Sequence, residues 1–312
     1  MLKLSVVVPV YNEVESLPLL LNEATKVLRE NFSNQYELVV VDDGSNDGTR
    51  DLYHQLRSQY PEVRFVLLSR NYGQSAAMAC GIELAIGQII VPMDGDGQND
   101  PNDIPLLVKH LETGFECVSG WRKSRKDKNL TRKLPSAIAN TFISRILNVN
   151  IHDFGCTLKA YDANLLKSIQ VKGDMHRFLP AYILMFGGRV AELQVNHRDR
   201  KFGKSKYGLG RIHRVLLDTL SLWATTNHFH KPIHLFGGVG FIFAIVSSLS
   251  LLLSVALKVT GVRNFVDTPL LSVSGFSLLI ALQFLLFGLL AEMNLKQADP
   301  EYLKPYRIKE II

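Results

Sequence analysis

The sequence has little cysteine, and its cysteines show no pattern that would let them act together. The 312 residues include three, Cys80, Cys117 and Cys156. Their odd number and irregular spacing argue against a disulfide framework, and we interpret them as buried, reduced thiols of a cytosolic domain. The apolar run at 4–8 is too short for a signal peptide, so we predict a strand there.

Two common nucleotide-binding motifs are missing from the sequence. No series of three spaced glycines follows the first predicted strand, which disfavours a Rossmann oxidoreductase. Gly203-Lys204-Ser205 is similar to the end of a P-loop, but Arg198 stands where that motif needs its earlier glycine. We therefore reject an NTPase of the P-loop class.

Charge is also missing from two long stretches near the C-terminus. Twenty-six residues without Asp, Glu, Lys or Arg separate Lys231 from Lys258, and 24 such residues separate Asp267 from Glu292. Each stretch exceeds the roughly 20 residues that cross a bilayer as a helix. We predict a membrane region at 231–292, with two transmembrane helices at about 233–257 and 270–291.

The charges around this region predict how the chain meets the membrane. Eight cations lie from Arg198 to Lys231, and more follow the second span, so both termini and a basic tail at 293–312 are predicted to be cytoplasmic. Residues 210–230 combine an apolar face with basic residues near their start, which predicts an interfacial amphipathic helix. The net charge of +6 fits an anionic partner, but sparse aromatic residues in the basic runs argue against nucleic acid.

Residues 1–209 show apolar, β-branched runs that alternate with amphipathic segments. Strands are predicted at 4–8, 36–41, 63–68, 89–93 and 118–122, and helices at 15–32, 49–60 and 75–85. This alternation predicts an α/β domain with a mostly parallel sheet. In such a sheet, successive strand ends form one ligand crevice.

Acidic residues stand at three of the predicted strand ends. They are Glu13, the pair Asp42 and Asp43, and the pair Asp94 and Asp96. Acidic, glycine-rich turns are common on protein surfaces, but carboxylates gathered at one sheet edge repel one another unless a cation or polar ligand compensates. Because Asp94 and Asp96 are two residues apart on extended chain, both could bind one hard divalent cation.

Three segments together resemble the family 2 glycosyltransferases. They are Pro9-Val10-Tyr11-Asn12-Glu13, Val41-Asp42-Asp43-Gly44-Ser45, and Asp94-Gly95-Asp96 with Gln98. Within that family the chain is similar to the polyprenyl-phosphate glycosyltransferases. The resemblance covers about the first 210 residues and implies a nucleotide-sugar-binding, GT-A-like sheet domain, joined here to a two-helix transmembrane hairpin.

The resemblance also implies a donor site. The residues that would hold the base and ribose are Pro9, Tyr11, Glu13, Asp42 and Asp43. Those that would hold Mg²⁺ or Mn²⁺ on the diphosphate are Asp94, Asp96 and Gln98, and a later basic loop would close on the diphosphate with Arg200 and Lys206. The segment Asn71-Tyr72-Gly73-Gln74 is either a ligand-facing turn or a plain helix entry.

The acceptor site is implied in the same way. Arg122, Arg132 and Ser136 match family positions that hold the acceptor phosphate. Asp153 is the obvious candidate for a catalytic base, although an Asx turn or a helix N-cap explains it equally well. His176-Arg177 could reach the sugar or pyrophosphate, or form a buried hinge.

The resemblance implies inverting transfer of a sugar from a nucleotide-sugar to a polyprenyl phosphate at the cytoplasmic membrane face. A UDP-sugar is the favoured donor, undecaprenyl or dolichyl phosphate the acceptor, and a homo-oligomer the expected assembly. A processive polysaccharide synthase is an alternative, but no Gln-x-x-Arg-Trp segment is present. A second alternative is a non-catalytic membrane scaffold or translocation partner. The presence of acidic residues at all three strand ends argues against that alternative.

Overall fold

The computed structural model describes residues 2–123, 144, 151–169, 175–200, 202, 232–297 and 308–311. The chain divides into two compact units. The first comprises Met1–Ile212 together with Leu303–Ile312, and the second comprises His213–Tyr302.

The first unit is built on one eight-stranded sheet. Its strands are β1 (Leu4–Val10), β2 (Tyr36–Asp42), β3 (Val63–Leu68), β4 (Ile89–Pro92), β5 (Cys117–Trp121), β6 (Lys159–Asp162), β7 (Val190–Gln194) and β8 (Ile308–Ile311). They lie in the order β7-β5-β6-β4-β1-β2-β3-β8. Only β6 and β8 run opposite to the other strands, which confirms the predicted mostly parallel α/β sheet.

Helices cover both faces of this sheet. They are α1 (Leu17–Phe32), α2 (Tyr53–Gln59), α3 (Gln74–Leu84), α4 (Ile104–Leu111), α5 (Ala163–Ser168) and α6 (Leu179–Met185). Side chains alternate along β1, so that Val6 and Val8 pack into the core under α1 and α4, whereas Val7 packs into a second core with α3, α5 and α6. Burial on both faces explains why the central strands are continuous apolar runs.

Most predicted elements are present with small changes in their bounds. α1 begins at Leu17, two residues later than predicted, with Pro18 in its first turn. The predicted helix at 49–60 is instead a 3₁₀ turn at Thr49–Leu52 followed by α2. Further 3₁₀ turns lie at Pro101–Asp103 and Met175–Arg177.

The C-terminal end of the chain forms a strand that the sequence reasoning did not anticipate. Residues 293–312 were predicted to be a basic tail, but Ile308–Ile311 pair antiparallel with β3. Without this strand, β3 would present a row of unpaired N–H and C=O groups at the edge of the sheet. Residues 308–311 therefore belong to the sheet of the first unit.

The second unit is an antiparallel pair of long apolar helices, α7 (Pro232–Val259) and α8 (Leu270–Gln297), with a 3₁₀ turn at Phe265–Asp267 between them. Their most apolar windows have mean hydropathies of 2.4 and 2.2, and only 17% and 22% of those windows is buried. Each helix is long and apolar enough to cross a membrane, and both predicted spans lie within them. The predicted interfacial helix at 210–230 lies outside the described residues.

Candidate active site

The loops after β1 and β2 are tied together at the carboxyl edge of the sheet. The strands pair in register up to Val10 and Asp42, so their ends meet. Beyond them, Asn12 N donates to Ser45 Oγ at 2.9 Å, and Asn46 N donates to Asn12 Oδ1 at 2.9 Å. Asn12 has a φ of 54°, a left-handed conformation that asparagine tolerates better than most residues.

Three of the predicted nucleoside-binding residues lie at the end of β1 or in the loop that follows it. Pro9 is buried in β1, whereas Tyr11 and Glu13 are partly exposed in the loop. Glu13 N donates to Thr49 Oγ1 at 3.1 Å, and its carboxylate accepts from Ser16 Oγ at 2.7 Å. The first strand end is therefore held in place before any ligand binds.

The two adjacent aspartates after β2 occupy different environments. Asp42 has no exposed surface and accepts hydrogen bonds from Arg50 Nε at 2.7 Å, Tyr53 OH at 3.0 Å and Ser45 N at 3.2 Å. The predicted contact between Asp42 and the nucleotide does not fit this position, because the carboxylate is enclosed by the protein. Asp42 instead supports the loop that carries Asp43.

Asp43 faces the turn that precedes α3. Its two carboxylate oxygens accept from Tyr72 N at 2.7 Å and Gly73 N at 2.8 Å. Burial raises the pKa of Asp43, and these two backbone donors oppose that rise. Asp43 fixes the turn at 72–73, and its contact with the nucleoside stays a prediction.

Asp94 lies just after β4, among several groups that compensate its charge. Asp94 N donates to Asn99 Oδ1 at 2.9 Å, and Gln74 Nε2 donates to Asp94 Oδ1 at 2.7 Å. Burial and then the neighbouring Asp96 raise the pKa of Asp94 to about 6, whereas a hydrogen bond from Thr157 lowers it. Nearby Arg122 and Arg177 also favour the ionised form.

Asp96 forms an ion pair with Arg200. The segment that carries Arg200 is itself fixed, because Arg198 binds both carboxylate oxygens of Glu23 at 2.7 Å and also pairs with Asp100 at 2.7 Å. The structure thus places Arg200 beside Asp96, and the predicted contact of Arg200 with the donor diphosphate stays a prediction.

The third predicted metal ligand, Gln98, lies against the same segment. Its side-chain nitrogen is 3.4 Å from Arg198 O and 3.5 Å from His197 Nε2. Its backbone N–H donates to Asp96 Oδ1 at 3.0 Å. Gln98 therefore supports both Asp96 and the Arg198 segment, and its role as a metal ligand stays a prediction.

The donor set at this edge fits a hard divalent cation that takes further ligands from a diphosphate. Within the described residues, no group of three or more His, Cys, Asp and Glu side chains forms a complete protein cage for a metal. The two carboxylates match the way Mg²⁺ binds, through one or two carboxylates and substrate phosphates.

Arg122 and Asp153 form a buried ion pair. Arg122 Nε donates to Asp153 Oδ2 at 2.7 Å and Nη2 donates to Oδ1 at 3.0 Å, with the two side chains 14% and 3% exposed. Gly155 N also donates to Asp153 Oδ1, at 3.1 Å. With both oxygens engaged, Asp153 fits a residue that orients Arg122 better than a catalytic base.

Three residues matched to the family lie outside the described part of the chain. They are Arg132 and Ser136 from the predicted acceptor site, and Lys206 from the basic loop. Their roles stay predictions.

Three residues beside the acidic pair or next to its partners, Gln74, Thr157 and His176, were given no definite role from the sequence. Gln74 belongs to the segment 71–74, which the sequence allowed to be either a ligand-facing turn or a plain helix entry. Thr157 stands in no motif that would have marked it as a site residue. His176 Nδ1 lies 2.5 Å from Ser75 Oγ, and burial, followed by Arg177 and Lys159, lowers the pKa of His176 to about 3. His176 is therefore neutral at physiological pH, which suits a buried residue that hydrogen-bonds Ser75 at the start of α3.

Comparison with known families places the site in context. Residues 5–170 match the model of the family described as Glycosyl transferase family 2. The matched region contains the strand ends that carry Asp43, Asp94 and Asp96, together with Arg122 and Asp153.

Similar proteins extend beyond that region into the apolar helices. The chain is 39% identical over 312 residues to a dodecaprenyl-phosphate galacturonate synthase from Rhizobium johnstonii, covering 97% of this chain and 92% of that protein. It is 34% identical over 308 residues to an undecaprenyl-phosphate 4-deoxy-4-formamido-L-arabinose transferase from Photorhabdus laumondii, covering 96% and 92%.

A solved structure shares the fold of the sheet domain. Glucosyl-3-phosphoglycerate synthase from Mycobacterium tuberculosis, in complex with Mn²⁺, UDP and glucosyl-3-phosphoglycerate, superposes with a TM-score of 0.55 at 21% identity. The match covers 71% of this chain and 79% of that one. It supports the GT-A-like fold of the sheet domain.

Proposed function

This chain belongs to glycosyl transferase family 2, and from that premise we propose that it transfers a sugar from a UDP-sugar to a polyprenyl phosphate. The observation that carries the proposal is the acidic pair Asp94 and Asp96 at the end of β4, with Arg122 and Arg200 beside it. Two relatives that match over nearly the whole chain are named for transfer to dodecaprenyl or undecaprenyl phosphate. Such relatives favour a lipid-phosphate acceptor over a growing polysaccharide.

Asp94 and Asp96 would hold Mg²⁺ or Mn²⁺ together with the donor diphosphate. When bound, the cation would neutralise charge on the leaving diphosphate. Tyr11, Glu13 and Asp43 would bind the nucleoside, because they lie at the neighbouring strand ends and offer acceptors for base N–H and ribose hydroxyl groups.

Arg122 would bind the acceptor phosphate, with Arg132 and Ser136. Asp153 fixes the guanidinium by two hydrogen bonds, so that its position is set before the acceptor arrives. A phosphate monoester has its second pKa near 6 and is largely ionised at neutral pH. The acceptor oxygen can therefore attack the anomeric carbon without a general base, and in-line displacement would invert that centre.

The two apolar helices would anchor the enzyme where its lipid acceptor resides. The excess of cations on the outer sides of the helix pair favours a cytoplasmic position for the sheet domain and for both ends of the chain. We also propose that the protein assembles as a homo-oligomer in the membrane.

The test is to incubate the purified full-length protein with undecaprenyl phosphate and a panel of UDP-sugars that includes UDP-galacturonate. Mass spectrometry of the lipid fraction would detect the expected polyprenyl-phosphate sugar, and EDTA should prevent its formation. Asp96→Asn should lower turnover by at least about 100-fold, because one of the two carboxylates on the cation loses its charge.

The matched control is Asp51→Asn, since Asp51 is an exposed residue of the 3₁₀ turn at Thr49–Leu52. This variant should retain wild-type turnover. Wild-type activity of Asp96→Asn in the presence of metal would remove the metal assignment, and no lipid product from any donor would remove the proposed reaction.

A further inference from the structure

The turn at 72–75 connects the two ends of the donor site. Its first two backbone N–H groups, of Tyr72 and Gly73, donate to Asp43. The next residue, Gln74, donates from its side chain to Asp94. One short segment therefore contacts both the aspartate at the nucleoside end and an aspartate of the proposed metal site.

The backbone around Gln74 directs its side chain toward Asp94. Gly73 has a φ of 97°, a conformation that residues with a side chain rarely adopt, and α3 begins at Gln74. The next residue, Ser75, bonds His176 Nδ1 at 2.5 Å, which ties the first turn of α3 to the 3₁₀ turn at Met175–Arg177. The start of α3 is thus fixed on both sides of Gln74.

The chemistry of glutamine suits a neighbour of a metal ligand. An ionised carboxylate only accepts hydrogen bonds, and it has about four lone-pair sites. The amide of Gln74 uses one of them on Oδ1, at 2.7 Å, and orients the carboxylate without cancelling its charge. A lysine or arginine at this position would compete with a bound cation, whereas Gln74 does not.

We propose that Gln74 is a positioning residue that orients Asp94 for the divalent cation and couples cation binding to nucleotide binding through the turn at 72–75. The proposal rests on the function proposed above, since it assigns a role within the same donor site. It extends that function by naming a residue that contacts the proposed metal ligand and, through its own backbone neighbours, Asp43.

The test compares Gln74→Met with wild type, because methionine keeps the length of the side chain and removes the amide. Mn²⁺ affinity is measured by electron paramagnetic resonance with and without UDP, and UDP affinity by calorimetry without metal. We expect Gln74→Met to weaken Mn²⁺ binding about tenfold, the usual effect of removing a partner of a metal ligand. UDP affinity without metal should change less than twofold, and UDP should enhance Mn²⁺ binding less than in wild type.

Two controls separate positioning from a general loss of structure. Gln55→Met changes an exposed glutamine on α2 and should leave Mn²⁺ affinity unchanged. In an Asp94→Asn background, Gln74→Met should have little further effect, because the two residues act through one contact. The proposal would be overturned if Gln74→Met lowered Mn²⁺ affinity equally in the wild-type and Asp94→Asn backgrounds. It would also be overturned if Gln74→Met alone kept Mn²⁺ affinity within twofold of wild type.

The outcome also separates this proposal from the proposed reaction. If wild type binds Mn²⁺ with UDP, and Gln74→Met weakens that binding, the role of Gln74 holds even when no lipid product is found. If wild type binds no Mn²⁺ in the presence of UDP, the role of Gln74 is overturned, whereas a lipid product would still establish the transferase.

Discussion

At the scale of single residues, the site depends on pairs that are distant in sequence. Arg122 and Asp153 are 31 positions apart, and the sequence suggested both without showing that they bind each other. Their pairing arises because the turn before β6 packs beside the end of β5. The sequence likewise located the pair Asp42 and Asp43, but only the fold shows that both are buried and that they have different partners: Asp42 binds Arg50 and Tyr53, whereas Asp43 binds the turn at 72–73.

His176 supplies a prediction about the dependence of stability on pH. In the folded protein its pKa is lowered to about 3 by burial and by the nearby cations Arg177 and Lys159. The unfolded chain binds this proton with an ordinary pKa of about 6.5, so the contribution of His176 to stability is complete above that pH and is lost as pH falls. The free energy of unfolding should fall by up to about 1.4 kcal/mol per pH unit below 6.5 from this group alone.

The measurement is denaturant unfolding of the purified protein in detergent between pH 7.5 and about 4.5, for wild type and His176→Gln. The variant should be less stable at pH 7.5, because it loses the contact with Ser75, but its stability should fall less steeply with acid. His54→Gln, at an exposed position on α2, is the matched control and should keep the wild-type slope. The same slope for His176→Gln and wild type would contradict the prediction.

At the scale of elements, the sequence predicted best where the hydrophobic period was long and regular. The first four strands, the helix at α1 and the two apolar helices all follow from such patterns. β6 was missed because its four residues, Lys159–Asp162, have a polar composition. Lys159 is nevertheless 1% exposed, since its ammonium group donates to Phe154 O at 3.3 Å and also to Cys156 O.

The apolar helices carry a second prediction, because glycine allows them to approach closely. A Cβ atom added at Gly240 would lie 2.9 Å from Ala281 O, whereas one added at Gly238 would meet nothing within 4 Å. Gly240→Leu should therefore separate α7 from α8 and destabilise the helix pair by about 1–3 kcal/mol. Gly238→Leu is the matched control, since it makes the same change in the same helix on an exposed face.

Thermal unfolding in detergent measures the difference between these two variants. Both lose a glycine from a helix interior and gain the same helix propensity, so the difference in Tm reports the packing between the helices. Equal Tm values for Gly240→Leu and Gly238→Leu would show that the close approach at Gly240 does not contribute to stability.

At the scale of the whole molecule, the chain leaves the sheet domain, forms two apolar helices and returns to the same sheet as β8. Two membrane crossings bring a chain back to the side from which it started. The pairing of β8 with β3 requires that return, because both strands belong to the first unit. If α7 and α8 lie in a membrane, this return fits two crossings and does not fit a single one.

The returning strand also lies beside the end of β3, close to the proposed donor site. β8 pairs with β3 as far as Leu68, and Arg50, the partner of Asp42, donates to Leu68 O at 2.6 Å. The turn that holds Asp43 follows within five residues. We therefore expect disruption of β8 to loosen the end of β3 and weaken nucleotide binding.

Glu310→Pro tests this expectation, because proline removes a backbone N–H and is poorly tolerated inside a paired strand. Glu310→Ala changes the same side chain but keeps the backbone able to pair. We expect the proline variant to show faster hydrogen exchange at residues 66–68 and a UDP affinity lower by about threefold to tenfold, a coupling of about 1 kcal/mol. The alanine variant should match wild type in both measurements. Faster exchange without a change in UDP affinity would mean that β8 protects the edge of the sheet and has no influence on the donor site.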